Sequence, residues 1–114
     1  MKNTALITTK NLTLGFKSGN HIVTAIQKNS ITIPENKITI IFGASGSGKS
    51  SLLNIISGLQ APTTGKIYYK NTDLYKKDQN ELAFFRAREL GIVYQTNYWV
   101  KSLTVLENVS IPLY

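Results

Sequence analysis

Gly43, Gly48, Lys49 and Ser50 stand at the spacing Gly-x-x-x-x-Gly-Lys-Ser, within the run Gly43-Ala44-Ser45-Gly46-Ser47-Gly48-Lys49-Ser50. Residues of these types at this spacing can hold a magnesium nucleoside triphosphate, with ATP the expected nucleotide. Glycines let the backbone curl so that consecutive N–H groups point inward at phosphate oxygens. A helix opening at Lys49 would add its unbonded amides and the positive end of its dipole. The Lys49 ammonium would reach the β- and γ-phosphates as a mobile point charge, and the Ser50 hydroxyl would coordinate Mg²⁺. A plain glycine-rich turn with an exposed lysine would need no particular flanks. Here an apolar stretch precedes the loop and an amphipathic one follows it. The motif by itself leaves kinases, GTPases, helicases and transport ATPases open.

The elements that must position this loop follow from periodicity. Lys37–Phe42 is β-branched and mostly apolar, which predicts a strand buried on both faces and running straight into Gly43. Lys49–Leu59 predicts a helix with Leu52, Leu53, Ile55, Ile56 and Leu59 on one broad face and Gly58 near its stop. Upstream, Ala5–Phe16 alternates as an extended strand with one buried face. The turn Lys17–Asn20, a second strand over His21–Gln27 and a short one over Ser30–Ile33 ending at Pro34 come next. Downstream, Ala61–Gly65 reads as a turn and Lys66–Tyr69 as a strand. Asp78–Leu90 reads as a helix with Leu82, Phe85 and Glu89 at helical steps. Gly91–Gln95 is expected to be a short strand and Thr96–Ser102 irregular. Thr104–Ile111 is expected to be a helix capped by Thr104, with Glu107 at the spacing of a capping box. The early segments together suggest a small antiparallel sheet joined to a strand–loop–helix unit.

Composition removes several classes. With no cysteine among 114 residues, a disulfide framework, a thiolate zinc site and a cysteine nucleophile are excluded. Hydrophobic residues at 42% and charged residues at 17% match a globular domain rather than a disordered chain. No apolar run approaches the ~18 residues of a membrane span. Met1–Ala5 lacks the apolar core of a signal peptide, so a cytoplasmic location is expected. The net charge is +7, yet the basic residues are scattered and only Lys76-Lys77 and Arg86/Arg88 come near to clustering. They are read as a solvated surface rather than a nucleic-acid site. Arg86 and Arg88 would decorate a helix, and His21, the only histidine, has no second metal ligand nearby.

Beyond the loop, the sequence resembles the first half of an ABC-type ATPase, the nucleotide-binding subunit of ABC transporters. The resemblance rests on the extended loop running to Ser51-Leu52-Leu53, on Gly58-Leu-Gln-Ala-Pro-Thr-Thr-Gly65, and on Arg86 followed by Leu90-Gly-Ile-Val-Tyr-Gln95. Leu103-Thr-Val-Leu-Glu-Asn-Val109 and Ile111-Pro-Leu113 resemble the lipoprotein-release and macrolide-export branch, which includes the cell-division ATPase FtsE. The implied fold is α/β, a partial P-loop NTPase core with an amino-terminal antiparallel β-subdomain. Residues 1–114 would be the amino-terminal portion of one ATP-binding domain. The resemblance implies that Phe16, Gly43, Ser45, Gly46, Ser47, Gly48, Lys49, Ser50, Ser51 and Gln95 hold ATP, with Ser50 and Gln95 on Mg²⁺. Phe16 would stack on adenine through its ring face, or simply pack against the sheet. Thr96–Ser102 would dock a transmembrane permease subunit through Tyr98, Trp99 and Val100, or these residues would fold back into the core. A second ATP-binding subunit would complete the site as a dimer, peripheral to the inner face of the membrane.

The same resemblance shows what these residues do not include. There is no Leu-Ser-Gly-Gly-Gln run, no apolar run ending in Asp-Glu and no histidine in the position of the family's switch. Phosphoryl transfer to water needs a positioned nucleophile and charge stabilisation as well as a cradle. Nucleotide binding without appreciable hydrolysis is therefore expected, with no catalytic residue in the chain. The parallel sheet would also lack central strands, leaving apolar edges exposed. A small P-loop kinase and a non-enzymatic nucleotide-binding module remain the alternative readings. No arginine-rich lid supports the kinase.

Overall fold

The structure, a computed structural model, describes residues 4–96 and 98–113. A long strand, β1 (Ala5–Ser18), forms the spine of an antiparallel five-stranded sheet. It pairs with β2 (His21–Asn29), β3 (Thr32–Pro34) and β4 (Thr64–Tyr69), and β4 in turn pairs with β5 (Thr72–Asp73). The order β2-β1-β4-β5 arises because β1 serves two sets of partners. Its first half registers Ile7 with Ile33 and Tyr69, and its second half registers Phe16 with Val23. Irregularities around Leu12, Leu14 and Gly15 separate the halves. Such bulges bend and twist a strand, and here they let Ile7, Leu12 and Leu14 all reach one core.

The first two strands run longer than expected, and the third is shifted along the chain. Ser30 and Ile31 lie outside the assigned strands, yet both are tied to β1, and the Ile31 carbonyl accepts from the Thr9 N–H at 2.9 Å. The Ile31 N–H donates to Thr9 Oγ1 at 2.9 Å, and Ser30 Oγ accepts from the Asn11 N–H at 2.9 Å. Thr9, the one buried polar residue among those described, also donates its hydroxyl to the Asn29 carbonyl. Gly65, at φ +92°, brings β4 against β1 so closely that a Cβ there would stand 2.5 Å from the Asn11 carbonyl oxygen.

Against one face of the sheet lie α1 (Lys49–Ile56) and α2 (Gln79–Glu89), which supply Ile55, Ile56, Leu82 and Phe85 to a core completed by Ile26, Ile67 and Leu74. Helix α1 is shorter than the 49–59 span expected, and Leu53 and Leu59 are exposed. It ends in a Schellman turn, in which Gly58 at φ +72° lets the Leu59 N–H reach the Asn54 carbonyl at 2.9 Å. Two side chains from outside then cover the carbonyls of this end. Arg86 donates from Nη1 to the Gly58 oxygen at 2.8 Å, so it is a structural tie rather than surface decoration. Tyr75 lies in a 3₁₀ turn (Leu74–Lys76), and its hydroxyl meets the Ile55 oxygen at 2.7 Å and the Gln60 oxygen.

Both α2 and the short α3 (Val105–Ser110) begin with full capping boxes, Asp78 with Glu81 and Thr104 with Glu107. The second was expected from spacing. The Thr104 hydroxyl, foremost, holds the Glu107 carboxyl below its ordinary range.

Two predicted strands are absent. Residues 37–42 and 91–95 are not paired with any strand among those described, and Ile38, Ile40, Phe42 and Val93 are exposed, Val93 at 99%. Propensity marks these segments as fit for a doubly covered sheet, but a strand is made by the hydrogen bonds of a neighbour. Without a partner strand among the described residues they form no regular element.

Burial of the Tyr75 hydroxyl, partly offset by its bond to Gln60, raises its pKa from 10.0 to about 12. A phenol with a raised folded pKa stabilises the fold fully below its unfolded value, and that stability is lost as pH rises through the folded one. Urea unfolding midpoints should therefore be flat up to about pH 10 and fall as pH climbs towards 12. In Tyr75→Phe this part of the slope should vanish. An equal slope in wild type and variant would exclude the assignment.

Candidate functional site

The loop between residues 42 and 49 wraps around the side chain of Lys49. The ammonium donates to the Gly43 oxygen at 2.8 Å, the Ala44 oxygen at 2.7 Å and Ser47 Oγ at 3.3 Å. A tight turn, Ser47 N–H to the Ala44 oxygen at 3.2 Å, fixes the tip. Gly46 and Gly48 have φ of +77° and +89°, conformations that L side chains rarely adopt. Gly48 is also the N-cap of α1, and its carbonyl accepts the helix's first bond from the Leu52 N–H at 2.8 Å.

Close approach fixes where this cap sits. A Cβ on Gly48 would stand 2.5 Å from the Ala25 carbonyl oxygen of β2, and one on Gly43 would stand 2.7 Å from Ser47 Oγ. The loop is thus pressed on the sheet at one end and folded on itself at the other. Beside it opens a cavity of about 310 Å³, bordered by Gly43, Ser47, Gly48 and Lys49, by Gln27 and Asn29 of β2, and by Ile41 and Phe42.

The electrical character of the site is one-sided. Helices α2 and α3 each satisfy their first amides with a capping side chain and carry a glutamate in the first turn. Helix α1 has neither a side-chain cap nor an acidic residue in its first turn. Unbonded N–H groups, the positive dipole end and an ammonium therefore converge with no internal anion to meet them. Phosphate oxygens suit this donor set. For Mg²⁺ the fit is narrower. Among the described residues no group of three or more His, Cys, Asp or Glu could hold a metal. An ion here would depend on a hydroxyl such as Ser50, on water and on the phosphates themselves.

The structure brings Gly43, Ser45, Gly46, Ser47, Gly48, Lys49, Ser50 and Ser51 together as one loop and helix start. It does not place Phe16 or Gln95 on the cavity lining. Phe16 sits near the free end of the β1–β2 hairpin, opposite Val23, with 43% of its surface open. Gln95 is exposed in a bend after residues 91–94. Trp99 and Val100 are exposed rather than folded into the core, and Tyr98 meets Tyr94 edge to face at 5.0 Å. Asn97, within the expected docking segment, lies outside the described residues. The sequence reading missed Asn108, whose side chain bonds the backbone of Val100, Leu103 and Thr104 and so ties this aromatic stretch to α3. An asparagine in mid-helix that can bond backward was the available signal.

Comparison with known proteins points the same way. Residues 26–112 match the family model described as ABC transporter. The chain is 37% identical over 107 residues to the lipoprotein-releasing system ATP-binding protein LolD of Desulfotalea psychrophila, covering 94% of this chain and 48% of that protein. It is 40% identical over 108 residues to an ABC transporter ATP-binding protein of Methanocaldococcus jannaschii, covering 95% of this chain and 46% of the relative. The chain therefore spans about half the length of the curated relatives it matches. A solved structure of that archaeal cassette, a dimer in a post-hydrolysis state bound to ADP and phosphate, superimposes with a TM-score of 0.88 at 39% identity. It covers 94% of this chain and 46% of the cassette. These likenesses agree with a partial ABC ATPase fold.

The two left-handed glycines of the loop should respond differently to a methyl group. Gly46→Ala has free space and bears only the backbone strain, on the order of 1–2 kcal/mol. Gly48→Ala meets the β2 carbonyl as well, so loop and sheet must separate. Denaturant unfolding should show the larger loss for Gly48→Ala, by at least about 1 kcal/mol. Equal losses would mean that the close approach does not constrain the loop.

Proposed function

The chain belongs to the ABC transporter family, and from that premise we propose that it is the amino-terminal portion of one ATP-binding domain. In the longer protein this portion holds the triphosphate of an ATPase subunit that drives transport through a separate membrane permease. The observation that carries this reading is the uncapped start of α1 with the Lys49 ammonium beside it, a donor set lacking an anion.

On this reading Lys49 exchanges the carbonyls of Gly43 and Ala44 for phosphate oxygens, while amides from Ser45 to Ser51 turn to the α- and β-phosphates. Such charge-assisted bonds are about twice as strong as neutral ones. Bound Mg²⁺ would supply charge neutralisation between the phosphates, and Ser50, with Gln95 from the bend, is assigned to its shell. Phe16 offers its ring face to adenine, and its partial exposure at the hairpin end leaves room for that.

Hydrolysis asks for more than these residues provide. No side chain in the loop is a base, and no acidic residue borders the cavity. We assign this chain to binding alone, with turnover dependent on residues and a second subunit that the 114 positions do not include. The exposed group Tyr98, Trp99 and Val100 is assigned to the permease contact. No helix among the described residues is long and apolar enough to cross a membrane, which fits a subunit peripheral to it.

Calorimetric titration with MgATP should show saturable binding that Lys49→Ala weakens by about thirtyfold or more, matching the ~2 kcal/mol of a charge-assisted contact. Circular dichroism should be unchanged, because the three bonds of the Lys49 ammonium go to the loop and none reaches the core. Phosphate release by the wild-type chain should stay at the level of the variant. Equal affinity in both proteins would remove the cradle. Turnover abolished by Lys49→Ala would contradict binding without hydrolysis.

A further inference from the structure

A second cavity, of about 330 Å³, opens between the β4–β5 hairpin and α2 and shares no residue with the phosphate loop. Its floor is aromatic. Tyr69 meets Phe85 edge to face, with ring centroids 4.9 Å apart. Phe85 and Leu82 are turned into the core, and Phe84, one residue out of phase, leaves 66% of its surface open on the cavity wall. Helix α2 therefore carries apolar side chains in two directions, and only one of them is buried.

Charge at the rim is unbalanced in a specific way. Both bordering carboxylates are already engaged. Glu89 accepts from the Tyr69 hydroxyl and pairs with Lys70 at 3.9 Å, and Glu81 accepts from the Asp78 N–H at 2.8 Å in its capping box. The hydrogen bond to Glu89, foremost, and burial push the Tyr69 pKa up, so the phenol keeps its proton and remains a donor to the Glu89 carboxylate. Lys77 and Arg88, by contrast, have no ion pair or side-chain hydrogen bond among the described residues. Two uncommitted cations thus flank an open aromatic wall on a chain of net charge +7.

We propose that this groove docks a partner polypeptide that lays an apolar side chain over Phe84 and Tyr69 and sets a carboxylate between Lys77 and Arg88. Aromatic anchors and arginine are the residue types that dominate such contacts. The pairing of an aromatic wall with two free cations selects the occupant. A pocket this size takes one or two side chains, whereas a bilayer surface needs a flat or convex basic face. An aromatic wall beside the cations favours an occupant that carries an apolar side chain over a free phosphate. This site is independent of the nucleotide reading, because no element of the loop contributes to it.

The test is selection of a random peptide library displayed on phage against the full chain, counter-selected on the Phe84→Ser, Lys77→Glu, Arg88→Glu variant. All three positions avoid the core, and matching circular dichroism spectra verify the folds. Enriched peptides should place Asp or Glu within three residues of Leu, Phe or Trp. Synthesised and labelled, they should bind wild type at least tenfold more tightly than either Phe84→Ser or the double charge reversal. MgATP titration of the same variants should be unchanged, which separates this result from the fate of the nucleotide site. Failure to enrich over the variant, enrichment of basic peptides, or stronger binding to phosphatidylglycerol vesicles would overturn the proposal. So would self-association that Phe84→Ser abolishes, since that would assign the groove to a second copy.

Discussion

Everything proposed for the phosphate loop depends on one steric contact, the approach of Gly48 to the Ala25 carbonyl of β2. A helix of eight residues is marginal in water on its own, so α1 must borrow its position. At the amino end it rests on β2 through a residue with no side chain. In the middle, Ile55 and Ile56 enter the core. At the carboxyl end Tyr75 and Arg86 bond the carbonyls beside the Gly58 turn. An arginine there also meets the negative end of the helix dipole. With both ends held, the first amides of α1 point at a fixed place without a capping side chain.

The contrast among the helices makes the functional reading physical rather than associational. All three begin near the surface with free amides to satisfy. Two do so internally with a carboxylate and an N-cap oxygen, and the third leaves its start to a lysine folded onto the loop's own carbonyls. An ammonium so placed is held by neutral acceptors that phosphate oxygens can outbid. The family membership rests on sequence and fold, and the proposed anion site rests separately on the geometry of the loop.

Local chemistry was legible in the sequence, and partnership was not. The curl of the glycine loop into a helix opening at Lys49, the Thr104–Glu107 cap and the Gly58 stop depend on a few adjacent residues and came out as read. The Asp78–Glu81 cap has the same spacing and was within reach. Residues 37–42 and 91–95 have strand composition, but no strand among the described residues pairs with them, and composition cannot supply one. Arg86 was read as a surface charge because its acceptor lies 28 residues earlier in the chain. Tyr75 was silent for the same reason, with its acceptors 20 and 15 residues away. Phe84 next to Phe85 gave only a helix pattern, and which ring is buried depends on where α2 meets the sheet.

The central claim is that the start of α1 is a built anion site. Amide NMR of the chain during MgATP titration tests it most directly. The account predicts that the N–H signals of Gly46, Ser47, Gly48, Lys49 and Ser50 move together along one saturation curve, while those of Phe84 and Glu89 stay in place. Saturable shifts centred elsewhere, or none at the loop, would contradict it.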